Sequence, residues 1–81
     1  MKTVNSVSNA VRDILEQAEC AAAGRGRQGR NKAAYDAGHA VAQRMGQQIR
    51  GVASLQAGRL LSGDTDIDSA VRSVVSAWGS S

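Results

Sequence analysis

Proline is absent from all 81 residues, and along most of the chain apolar residues return in steps of three and four. A strand would repeat at two, and only proline imposes the fixed φ and missing N–H that stop a helix outright. The two features together confine the chain to helices. Composition agrees, with 42% hydrophobic residues, only 2% aromatic and no phenylalanine, so the core must be built from alanine and small aliphatic side chains. The expected fold class is all-α, in one small domain spanning residues 1–81.

Three helices follow from the spacing. In the first, from Asn5 to Ala23, the residues Val4, Val7, Val11, Ile14, Ala18 and Ala21 form an apolar stripe that Leu15 and Ala22 widen. Arg12 and Glu16, four apart, are expected to pair on the polar side. Gly24 fits the left-handed position that follows a helix end. Residues 24–30 (GRGRQGR) hold three glycines, three arginines and no apolar residue, which predicts an exposed loop, with Asn31 as the N-cap of the next helix.

The second helix is long, from Lys32 to Leu61. Ala34, Gly38, Val41, Ala42, Met45, Ile49, Val52, Ala53 and Leu60 cluster on one face at 100° per residue. Ala34, Gly38, Ala42 and Gly46 stand at four-residue steps, a series that lets another helix backbone approach closely. Gly51 and Gly58 fall on the polar side, so a bend or break near Gly51 is the alternative, and it would turn three helices into four. The third helix follows Asp64–Asp66. Thr65 and Asp68 resemble a capping box with a short acid, and Ile67, Ala70, Val71, Val74, Val75 and Trp78 keep the helical period until Gly79 ends it.

Length matching gives a three-helix antiparallel arrangement, with the outer helices folded on opposite halves of the long central one. At this length only roughly 60% of the extended-chain surface is buried. The thin core and small-residue stripes therefore predict a homo-oligomer, most simply a twofold dimer through Ala34, Gly38 and Ala42, with Trp78 as a packing anchor.

Charge is segregated. The chain carries a net +3. Residues 25–62 hold seven cations against Asp36 alone, a local excess of six, whereas residues 1–24 and 63–81 are each slightly acidic. Such asymmetry suits an anionic partner. No stretch approaches the roughly 18 apolar residues of a membrane span, residues 1–10 lack the apolar run of a secretion signal, and one cysteine, Cys20, allows no internal disulfide. A cytoplasmic protein that meets no membrane is the expectation.

Gly24, Gly26 and Gly29 formally match G-x-G-x-x-G, but a helix precedes them where the dinucleotide-binding motif needs a strand. The ingredients for anion binding remain. Arg25, Arg27, Arg30 and Lys32 surround a glycine-rich backbone at a helix start, with Gly26 and Gly29 allowing close approach and Tyr35 placed to stack. The same residues also fit a basic loop that touches only water. Arg44, Arg50 and Arg59 share no narrow face, and Tyr35 and Trp78 are too few for a single-strand stacking platform. One cysteine and one histidine, His39, do not make a zinc site or a supported nucleophile pair. The expected function is therefore non-enzymatic, without metal or cofactor: binding of a phosphate-bearing ligand, nucleic acid or nucleotide, through residues 25–35. The rival from another class is a small adaptor or inhibitor that docks its helical faces on an acidic or apolar surface of a partner protein.

Overall fold

The structure is a computed structural model that describes the backbone of residues 3–80 and the side chains of residues 6–80; Val4 of the first stripe therefore lies outside the described side chains. Among the described residues the chain is all-helical: α1 spans Thr3–Ala22, α2 Arg27–Met45, α3 Arg50–Leu61 and α4 Ile67–Ser80, with a 3₁₀ turn at Gln47–Ile49 between α2 and α3. The molecule measures 39 × 20 × 18 Å. Each helix packs on the next, and α4 closes the ring against α1.

The three-helix expectation is thus corrected to four, and the break lies at Gly46, not Gly51. Gly46 has φ 114° and ψ 151°, a region open essentially to glycine alone. Its N–H still bonds the Ala42 carbonyl at 2.7 Å, and the Ile49 N–H returns to the Gly46 carbonyl at 3.1 Å. Ile49 is buried in the turn. Gly51 instead lies inside α3 with open space where a Cβ would stand.

Sequence periodicity missed this break because the apolar phase runs straight through it. Met45, Ile49, Ala53, Ala57 and Leu60 are all buried, so the turn reverses the chain without moving the stripe off the core. Folding back about Gly46 sets α3 antiparallel on α2. A Cβ on Gly38 would lie 1.8 Å from Ser54 Oγ and 3.0 Å from the Ser54 Cα, and one on Gly58 would lie 4.0 Å from the Ala34 methyl. The close approach inferred from the small-residue series is real, and the approaching backbone is α3 of the same chain.

α1 and α4 are conventional amphipathic helices. Val11, Leu15, Ala18 and Ala22 form the buried line of α1, so Leu15 and Ala22 lie at the centre of the stripe, while Ala21 is exposed. In α4, Ala70, Val71 and Val74 are buried, and Ile67, Val75 and Trp78 pack partly buried against the core. Arg12 pairs with Asp68 across the two helices, not with Glu16. The cap of α4 is Asp66 rather than Thr65: its Oδ2 accepts the Ser69 N–H at 3.4 Å. Hydrogen bonds from Ser69, side chain first and then backbone, hold the Asp66 carboxyl below the usual carboxylate range. Gly79 does not stop α4, which runs on to Ser80.

At its far end α3 stops on Gly63, with φ 83°. The Gly63 N–H bonds the Leu60 carbonyl at 3.2 Å and the Asp64 N–H bonds the Arg59 carbonyl at 2.8 Å, the two bonds of a Schellman motif. Arg59 forms no ion pair with Asp64, Asp66 or Asp68 among the described residues.

Candidate functional site: the basic end of α2

α1 ends where its sequence runs out of helix-compatible backbone. Gly24 takes φ 74°, the left-handed conformation expected from its position, and the Arg25 N–H bonds back to the Ala22 carbonyl at 3.0 Å. Gly26 is extended, at φ −80° and ψ −166°, and serves as the N-cap of α2. The basic segment is therefore a short turn followed at once by helix. Arg27, Gln28, Gly29 and Arg30 belong to the first turn of α2, and Asn31 is an interior helix residue, not a cap. Glycine needs no side chain to occupy an N-cap, so no polar cap residue marked the start.

Gly29 has a specific role in this turn. A Cβ there would lie 2.6 Å from the Arg25 Cβ, so the Arg25 stem crosses the helix start against bare backbone. Arg25 and Arg27 are exposed, and Arg30 is half-buried. Arg30 lies in a shallow depression of about 200 Å³ lined also by Glu19, Ala22, Ala23, Leu60 and Leu61. The C-terminal ends of α1 and α3 meet there, and their carbonyl dipoles favour a cation.

The electrostatics of the helix start are one-sided. No side chain caps the first turn and no acid stands in it, so its free N–H groups and the helix dipole present positive potential. Arginines at such a position are unfavourable for the helix itself. Only two ion pairs form among the described residues, Arg12–Asp68 and Lys32–Asp36, the latter at 3.2 Å. Arg25, Arg27 and Arg30 consequently have no carboxylate partner, while the charge of Lys32 is partly met by Asp36.

Tyr35 is 61% exposed. It continues the ridge Arg27–Asn31–Tyr35 at four-residue steps, roughly 12 Å along the axis from Arg27 at 1.5 Å per residue. The turn and the ring are therefore two stations on one outer face and do not enclose a common pocket. His39 follows one turn later, also exposed. Arg44, Arg50 and Arg59 are exposed at separate places on α2 and α3.

The residues assigned to a partner interface divide differently. Ala34, Gly38 and Ala42 are buried within the chain, so the surface that they were expected to offer a second copy or a partner protein is filled. Trp78 packs against the core on α4, away from the basic turn. Cys20 is exposed, no group of three His, Cys, Asp or Glu able to hold a metal occurs among the described residues, and no described helix is long and apolar enough to cross a membrane. Comparison with protein-family models, curated proteins and solved structures returns no match.

Proposed function

We propose that this protein is a non-enzymatic helical binding module that holds a phosphate-bearing ligand, nucleic acid foremost, on the basic end and outer face of α2. The observation that carries the reading is a helix start with no side-chain cap and no acid, flanked by three arginines without carboxylate partners. Arg25 and Arg27 fork onto phosphate oxygens, the first-turn N–H groups donate to a further oxygen, and Arg30 adds charge from the side. Bare backbone at Gly26 allows close approach, while Gly29 seats the Arg25 stem.

A polymer fits this surface better than a single nucleotide. Arg27 and Tyr35 stand along an open ridge, and the depression that Arg30 lines is shallow. Contact made mostly through phosphates is weakly sequence-specific and strongly salt-dependent. Fluorescence anisotropy with a labelled oligonucleotide tests this. With three phosphates neutralised, log K falls against log salt with a slope of about −2.7 on duplex DNA, and Arg25→Glu/Arg27→Glu/Arg30→Glu abolishes binding. Affinity that is indifferent to salt, or that survives the triple substitution, overturns the proposal.

A further inference from the structure

We propose that the outward face of the α2–α3 hairpin holds an unpaired nucleobase against Tyr35 and Leu55, so that the ligand is single-stranded nucleic acid. This inference rests on the phosphate-binding reading above and narrows it.

Two large hydrophobic side chains are exposed among the described residues, Tyr35 and Leu55. They are far apart in sequence, and the hairpin seam makes them neighbours. Gly38 faces Ser54, and Ala34 faces Gly58. That antiparallel register sets Leu55 level with Ala37, two residues from Tyr35, or about 3 Å along the axis at 1.5 Å per residue.

Their direction follows from the helical turn. On α2, the buried Ala37 and Val41 lie about 100° and 60° to one side of Gly38, and Tyr35 lies about 60° to the other. On α3, the buried Ala53 and Ala57 lie about 100° and 60° to one side of Ser54, and Leu55 lies about 100° to the other. Both side chains therefore turn away from the core and stand on the same solvent face, across the seam from each other.

The floor beside them is bare. Gly51 and Gly58 lie on that same side of α3, about 60° and 40° from Ser54. Unlike Gly38, neither is required by packing within the chain. A Cβ on Gly51 would meet nothing within 4 Å, and one on Gly58 only the Ala34 methyl at 4.0 Å. Glycine is unfavourable inside a helix relative to alanine, and what the two positions supply is a flat surface. A planar base fits it, stacked on the Tyr35 ring with Leu55 on its other side. One ring and one leucine hold a single base, not a stacked run.

Charge selects the occupant. α3 contains no acid, and the one acid of α2, Asp36, already pairs with Lys32. Arg59 stands one turn beyond Leu55, and Arg27 begins the ridge that reaches Tyr35. Neither has a carboxylate partner among the described residues. A second copy laid on this face would add like charge with no acid to offset it. A single strand brings phosphates and open base faces together, whereas a duplex keeps its base faces stacked inside.

Fluorescence anisotropy tests this with three labelled probes at one salt concentration: an oligothymidine strand, the same backbone without bases, and a duplex. The oligothymidine is expected to bind about 10-fold more tightly than the abasic strand. Tyr35→Ala should remove most of that advantage and Tyr35→Phe should keep it. Leu55→Ala should weaken the oligothymidine about fivefold and leave the duplex unchanged. Both side chains are exposed, and circular dichroism confirms that the variants fold. Equal binding of the two strands, lost in Arg25→Glu/Arg27→Glu/Arg30→Glu, keeps the phosphate reading and overturns this inference. No binding of any probe overturns both. A base advantage that survives both alanine substitutions, or an equal loss on strand and duplex, also overturns it. So does a dimer in light scattering that Leu55→Ala dissolves, which would assign the face to a second copy.

Discussion

α1 and α4 on one side, and the α2–α3 hairpin on the other, solve the same packing problem by opposite means. The α1–α4 pair buries branched side chains, Val11, Leu15, Val71 and Val74. It is pinned by Arg12–Asp68 and capped by Asp66. The α2–α3 hairpin brings backbones together over alanine, glycine and serine, with Gly38 against Ser54 and Gly58 against Ala34. In the first pair stability comes from apolar volume removed from water. The second also buries Val41, Met45, Ile49 and Leu60 in the shared core, but its own α2–α3 seam rests on close approach, where added volume is harmful. Charge follows the same division, because the basic excess lies on residues 25–62. Arg27 and Tyr35 share the exposed outer ridge of α2.

The sharpest way to break this contrast is to remove volume on one side and add it on the other. Leu15 is fully buried, and Leu15→Ala is expected to destabilise the protein by about 2–5 kcal/mol through lost burial and a residual cavity. Urea titration followed by helical circular dichroism measures it. Gly38→Ala inserts a methyl group against Ser54, and is expected to cost about 1–3 kcal/mol despite the better helix propensity of alanine. Ser54→Gly in the same chain should recover part of that loss, because it removes the two Ser54 side-chain atoms nearest the new methyl. Absence of coupling between the two substitutions would mean that the seam is looser than the geometry requires.

The smallest effect concerns the cap of α4. Hydrogen bonds from Ser69 hold the Asp66 carboxyl below its ordinary range, so the folded state favours the ionised form. The contribution is present above about pH 4 and is lost as pH falls through the lowered folded value. The melting temperature of Asp66→Ala should therefore lie below that of the unsubstituted chain at neutral pH, and the two should converge in acid. A gap that persists at low pH would assign the effect to something other than the carboxylate.

The same contrast explains what could be read from the amino acids. α1 and α4 were legible because large apolar residues at helical spacing mark both a helix and its buried face. Gly24 was legible because a glycine after the stripe fits only a few backbone roles. The hairpin was not, because alanine and glycine serve core and surface alike, and because the buried phase crosses Gly46 without a stutter. Gly46 was the fourth member of a four-step series, and nothing local separates a packing glycine from a turning one. The candidate site was legible as a basic stretch of sequence, Arg25 to Tyr35, but not as a shape. With Gly26 rather than Asn31 as the cap, half of the supposed loop is helix, and Ala34, Gly38 and Ala42 are already covered.

The most direct test of the account is residue-resolved NMR of the protein titrated with a short oligonucleotide at low and at high salt. The prediction is a set of amide shifts concentrated between Gly24 and Tyr35, continued along the outer face of α2 and suppressed by salt. Shifts centred on α1 and α4, or none at any ionic strength, would contradict it.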